Sequence, residues 1–180
     1  MSGIDTKKML DSIMQDVRVE LLEEYDRNFE RKAFFSRKWA RAKTEPGRGT
    51  LMMRSGALRR SIKGRITGRR ITFSSDLPYA VIHNEGGQIV VTRRMKRFFW
   101  AMYYKYSGGS ASRRKAALMS DLAGFYKAMA LKKTGSRITI PQRQFVGSAP
   151  EVEALIRDVV EDNFNEWINS IQKQIKSIER

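Results

Sequence analysis

His83 is the only histidine of the chain, and it stands where an apolar run meets a glycine turn, in Pro78-Tyr79-Ala80-Val81-Ile82-His83-Asn84-Glu85-Gly86-Gly87. As a general base it would need a carboxylate to orient the ring and a nucleophile or substrate within reach. Glu85 lies two residues on and Asp76 seven back, but no serine occupies a G-x-S-x-G elbow. A metal site would need further ligands, and without cysteine only scattered carboxylates remain. A half-buried ring that donates to backbone near the turn accounts for His83 better than catalysis does. Gly86-Gly87 precedes no Gly-Lys-Ser/Thr and forms no G-x-G-x-x-G, so these glycines supply positive φ or close backbone approach, not a phosphate cradle. The expectation is a protein that is not an enzyme, with no catalytic, cofactor-binding or metal-ligating residue and no cofactor.

A second block carries binding chemistry. Arg93, Arg94, Lys96 and Arg97 lead into Phe98, Phe99, Trp100, Tyr103 and Tyr104. Aromatic faces beside cations make a stacking platform for nucleic acid, and the same composition suits a protein–protein interface. The interface reading is the stronger, with Arg93, Arg94, Arg97, Trp100 and Tyr103 as the expected partner contacts. No helix-turn-helix, zinc finger or RNP-like strand pair supports sequence reading. Any nucleic-acid contact would be to the backbone and salt dependent.

Charge sharpens this. The net charge is +16 over 180 residues, and it is unevenly placed. Met1 to Lys38 holds eight basic and eight acidic residues, Arg41 to Arg114 holds 17 basic against three acidic, and Glu151 onward holds four basic against seven acidic. Such asymmetry speaks of partners, either nucleic acid or an acidic protein surface such as the next copy of the chain. Apolar residues at 41% and charged residues at 30% are globular proportions. The absence of cysteine excludes a disulfide scaffold and a thiol nucleophile and fits a reducing compartment. Met1 to Lys8 lacks a signal-peptide core and no apolar run approaches a membrane span, so a soluble, unexported chain with no membrane partner is expected.

The elements that must hold these residues follow from periodicity. Met9, Ile13, Val17, Leu21 and Tyr25 recur every fourth residue, which predicts a long amphipathic helix from about Thr6 to Phe35. Glu45 to Thr50 reads as a loop, and Arg54 to Ile62 as a short helix with Leu58 and Ile62 inward. Lys63–Ile66 and Arg70–Ser74 read as a hairpin turning at Thr67-Gly68-Arg69. Tyr79–His83 is either a third strand or a tight helical turn, and Gln88–Thr92 a hairpin arm. Helical stripes over Arg93–Tyr106 and Ala116–Leu131, broken at Ser107-Gly108-Gly109-Ser110, precede a strand at Arg137–Ile140. Ser148 with Glu151, and Pro150 early in the helix, predict a capping box opening a long C-terminal helix. The expected fold is α+β, with terminal helices packed on a small, mostly antiparallel sheet. It is expected as one domain over residues 1–180, with 93–137 as a two-helix insertion.

Three runs carry a resemblance. Leu58-Arg59-Arg60-Ser61-Ile62, Tyr79-Ala-x-x-His83-x-x-Gly86-Gly87 and Pro141-x-Arg143-x-Phe145-x-Gly147 before a final helix resemble the phage virion morphogenesis family. That family includes tail completion proteins and is similar in pattern to tail-completion adaptors at the necks of long-tailed phages. The resemblance covers about residues 51 to 170, with 93–137 a larger insertion than shorter members carry. It implies a virion component that completes the tail or joins it to the head, assembled as a ring, with a hexamer the guess from the family. It further implies partners among tail tube, terminator and head–tail connector proteins, transient non-specific DNA contact, and location in the virion head–tail region after assembly in the host cytoplasm. Tyr79, His83, Gly86, Gly87, Pro141, Arg143, Phe145 and Gly147 would then fasten the fold. On the residues alone, Arg143 suits a carboxylate or backbone carbonyls and Phe145 a core plug. The rival reading is a sequence-independent nucleic-acid-binding protein.

Overall fold

The computed structural model describes residues 6–42, 50–108 and 113–178, with side chains left out at 113–118 and 177–178. In chain order the elements are α1 (Thr6–Arg31), β1 (Ala33–Phe34), β2 (Arg37–Lys38), α2 (Ala57–Arg60), β3 (Ile62–Thr67), β4 (Arg70–Ser75), α3 (Ala80–Glu85), β5 (Gly87–Val90), α4 (Arg93–Ser107), α5 (Arg113–Ala130), β6 (Arg137–Ile140) and α6 (Pro150–Ile178). The fold is α+β with long helices near both ends. Among the described residues the strands form three separate two-stranded sheets, β1-β2, β3-β4 and β5-β6. The chain divides into two compact units, residues 1–37, 59–76 and 145–180 in one and residues 38–58 and 77–144 in the other. The expected loop at Glu45–Gly49, and Gly109 and Ser110 of the expected helix break, lie outside the described residues.

In the first unit the fourfold stripe of α1 does what its spacing implies. Ile13, Val17, Leu21 and Tyr25 are buried with Phe34, Ala149 and Val152, and Ile71, Phe73, Leu155, Ile156 and Val159 pack against that cluster. Fully burying a side chain such as Val17 or Leu21 contributes about 1.5–3 kcal/mol. The β3-β4 hairpin pairs Ile62 with Ser75 through to Thr67 with Arg70, and Phe73 meets Tyr25 edge-on at 5.1 Å. Gly68 turns the hairpin at φ 59.

The N-terminal helix stops at Arg31, not at Phe35, because Lys32 (φ 55) and Phe35 (φ 51) enter left-handed backbone. Asn28 fixes that turn: it is wholly buried, and its Oδ1 accepts from Phe35 N at 3.0 Å and Arg31 Nη2 at 2.8 Å. Ala149, not Ser148, sits at the cap of α6, since the Ala149 carbonyl accepts from Val152 N at 3.0 Å and Glu153 N at 3.2 Å. Pro150 takes the first helical position, where a missing N–H costs nothing. Glu151 accepts from Ser36 Oγ at 3.1 Å. The short helix is also shorter than expected: Leu58 is buried in α2, but Ile62 opens β3.

In the second unit β5 and β6 pair antiparallel, from Gly87 with Ile140 to Val90 with Arg137. The ladder runs on through Val91, which donates to Ser136 O at 2.8 Å and accepts from Gly135 N at 2.9 Å. Between the two strands the chain makes the helical pair α4 and α5. Thr92 caps α4 by accepting from Met95 N at 3.2 Å. Leu122, Ala123, Tyr126 and Ala130 of α5 are buried, with Tyr106 stacked on Tyr126 at 5.6 Å and 4°.

Candidate functional site

Tyr79 to His83 is helical, not a strand. Ala80 N reaches Leu77 O at 2.9 Å, and the turn after Pro78 runs into α3 with Ala80 buried. The helix stops at Gly86 (φ 74, ψ −174), and Gly87 (φ 142) starts β5. A Cβ on Gly86 would stand 2.8 Å from Gln142 N, and one on Gly87 would stand 2.8 Å from Ile82 Cδ1. The glycines are therefore seats for neighbouring atoms, which a side chain would fill.

What occupies the seat at Gly86 is the run that follows β6. Pro141 carries no N–H and ends the ladder. Arg143 N then donates to His83 O at 2.8 Å. The Arg143 guanidinium is buried, its Nε donating to Ala40 O at 2.9 Å and its Nη2 to Arg41 O at 3.3 Å. Burial draws this group down from its usual value, and two charge-assisted bonds to carbonyls offset that cost. Trp39 is fastened beside it in sequence by Nε1 donating to Gln144 O at 2.6 Å. Two of the recognised runs, distant in sequence, thus interlock through backbone.

The His83 ring is half buried, and Nδ1 is a fully buried atom with no hydrogen-bond partner among the described residues. The expected donation from the ring to nearby backbone is not seen at that nitrogen. Burial, and then the Arg143 charge, lower the ring from its ordinary 6.5 and favour the neutral form. Tyr79 is 41% exposed, its ring edge-on to His83 at 6.1 Å. No group of three His, Asp or Glu side chains converges at metal-ligand spacing among the described residues.

The rest of the Pro141–Gly147 run serves the first unit. Phe145 is buried against Phe29, ring centroids 5.2 Å apart, and its carbonyl accepts from Asn28 Nδ2 at 3.2 Å. Gly147 (φ 145) accepts from Tyr25 Oη at 2.9 Å. Asn28, Trp39 and Tyr25 are the anchors that sequence reasoning passed over. Asn28 left a signal: it falls on the same helix face as Leu21 and Tyr25, where a polar residue must find internal partners.

His83, Arg143, Phe145 and Gly147 thus make backbone or core contacts, while Tyr79 stays 41% exposed. The phage virion morphogenesis family matches residues 4–165. The chain belongs to that family. No curated protein and no solved structure matches it. Membership gives a structural or assembly role in phage virions, and no described helix is long and apolar enough to cross a membrane.

The residues expected from the sequence to meet partners lie on α4. Arg93, Arg94 and Arg97 are exposed, Phe98 is 53% exposed and Tyr104 is 66% exposed. Trp100 and Tyr103 are half buried, 5.7 Å apart, with Lys127 over the Tyr103 ring at 5.7 Å. The first turn of α4 holds no acidic residue. Cations there oppose the helix dipole, so their placement does not serve the helix itself.

Proposed function

We propose that this protein completes the phage tail or joins it to the head, as a ring-forming neck or tail adaptor with no catalytic role. The family match over residues 4–165 carries the reading. Two further features support it. Arg143, Phe145 and Gly147 of the motif runs make backbone or core contacts, and the basic middle and acidic end of the chain suit a heterologous, head-to-tail contact between neighbouring copies, the kind that closes rings. Tail tube, terminator and connector proteins are the proposed neighbours, and six copies the proposed ring. Deleting the coding gene should yield filled heads and unattached or unfinished tails by electron microscopy, restored by the gene in trans. Purified protein mixed with tail tube should show rings. Intact infectious particles from the deletion would refute the reading.

A second reading rests on the exposed arginines and Phe98 of α4: sequence-independent contact with nucleic acid. It predicts that Arg93→Glu, Arg94→Glu and Arg97→Glu together abolish oligonucleotide binding. It also predicts that binding by the unaltered chain weakens steeply with salt, each phosphate contact adding about 0.7–0.9 to the log–log slope. Binding that is absent, or insensitive to salt, rejects it.

A further inference from the structure

Helix α6 outlasts the core it helps to build. Val152, Leu155, Ile156 and Val159 reach the cluster centred on α1, and among the described residues nothing beyond Val159 on α6 joins it. The sequence nevertheless stays apolar at Phe164, Ile168, Ile171 and Ile175, in steps of four, three and four, with Trp167 alongside. That is the a/d spacing of a coiled-coil seam. Phe164 is 45% exposed and Ile175 is 51% exposed, while Trp167, Ile168 and Ile171 are half buried.

We propose that this stripe seats the same stripe of a second copy of the chain, antiparallel, about a two-fold axis near Asn169. Charge decides both the occupant and the direction. The seam is flanked by Asn165, Gln172 and Gln174, all uncharged, so two identical stripes meet without like charges facing each other. Along the helix the charge is graded, with Glu161, Asp162 and Glu166 before the axis and Lys173 and Lys176 after it. An antiparallel pair sets each acidic half against a basic half, and a parallel pair sets like on like. Asp162, Glu166, Lys173 and Lys176 lie on the outer face by heptad position, so they select direction more than strength, and the helix dipoles act the same way. In that register Phe164 comes level with Ile175, Ile168 with Ile171, and Glu166 with Lys173. The seam from Phe164 to Ile175 is about 17 Å long at 1.5 Å per residue, which makes a weak, concentration-dependent pair. A two-fold contact closes at two copies, so it is distinct from the head-to-tail contact of a ring and stands or falls without it.

Sedimentation of the full chain across micromolar to sub-millimolar concentrations tests the pair. The weight-average mass should climb from that of one chain toward that of two. Ile168→Glu should hold it at one, with an unchanged circular dichroism spectrum and unfolding midpoint. Because the chain has no cysteine, direction can be read by cross-linking. Asn165→Cys mixed with Gln172→Cys should give the mixed disulfide in preference to either self-disulfide. A single-chain mass at every concentration, or pairing that survives Ile168→Glu, overturns the proposal. Preferred self-disulfides overturn the antiparallel arrangement.

Discussion

Replacing Gly86 by alanine asks whether the glycine turn is architecture. At φ 74 and ψ −174 the backbone is in a region essentially reserved for glycine, and an L-residue there costs about 1–3 kcal/mol. The added Cβ would also meet Gln142 N at 2.8 Å and Gln142 Cα at 3.0 Å. Those are backbone atoms, which cannot swing aside as the tip of a flexible side chain would. Displacing them pulls on Arg143, whose N–H reaches His83 O at 2.8 Å and whose Nε reaches Ala40 O at 2.9 Å. Overpacking of this kind costs about 1–3 kcal/mol, so the two effects together come to about 2–6 kcal/mol. In a chain of this size each kcal/mol moves Tm by about 2–4 °C, so a fall of about 10 °C is expected in a thermal melt followed by far-UV circular dichroism. Gly124→Ala is the control. Gly124 lies within α5 with no atom near its Cβ position, so alanine should stabilise by about 0.8–1 kcal/mol and raise Tm by a few degrees. The same chemical change should thus act with opposite sign at the two glycines. A Gly86→Ala melt that coincides with wild type, or shifts upward like the control, refutes the reasoning.

Arg143→Lys should destabilise by about 1.5–3 kcal/mol in urea titration, because a compact ammonium cannot span the Ala40 and Arg41 carbonyls as the guanidinium fork does. A midpoint equal to wild type would remove the caged arginine from the account. Asn28→Ala should cost about 2–4 kcal/mol, since it strips partners from Phe35 N, Phe145 O and Arg31 at a fully buried position. A loss under half a kcal/mol by the same titration would contradict that wiring. For His83 the sign follows from its lowered pKa: below the ordinary 6.5 the unfolded chain binds the proton more readily than the folded one. Stability should therefore fall as pH drops from about 7 to 5, and His83→Gln should flatten that slope. An unchanged slope in the variant would show that other groups carry the pH response. Phage assembly should persist in His83→Gln, as the ring has no chemical step to perform in this reading.

Local periodicity settled much of this protein. The fourfold stripe of α1, the alternation of β3 and β4, and the long apolar run of α6 each show in sequence, because neighbours along the chain fix helix faces and strand sides. The family runs were legible for the same reason, being short and contiguous. What sequence could not decide was which distant group each anchor meets. Arg143 suited a carboxylate or carbonyls equally well, and only folding brings it to Ala40 O, 103 positions away. Tyr79–His83 was balanced between strand and helical turn, and α3 forms where Ala80 is buried and Arg143 N takes the His83 carbonyl. Phe34 and Phe35 extend a helical pattern on paper, yet the chain leaves the helix at Lys32 (φ 55) for β1, and the buried Asn28 amide captures the Phe35 N–H that follows. The division of Pro141–Gly147 between two compact units was invisible too. Hydrophobic spacing specifies which face is buried. Hydrogen-bond partners and backbone handedness are set by groups that sequence does not place side by side.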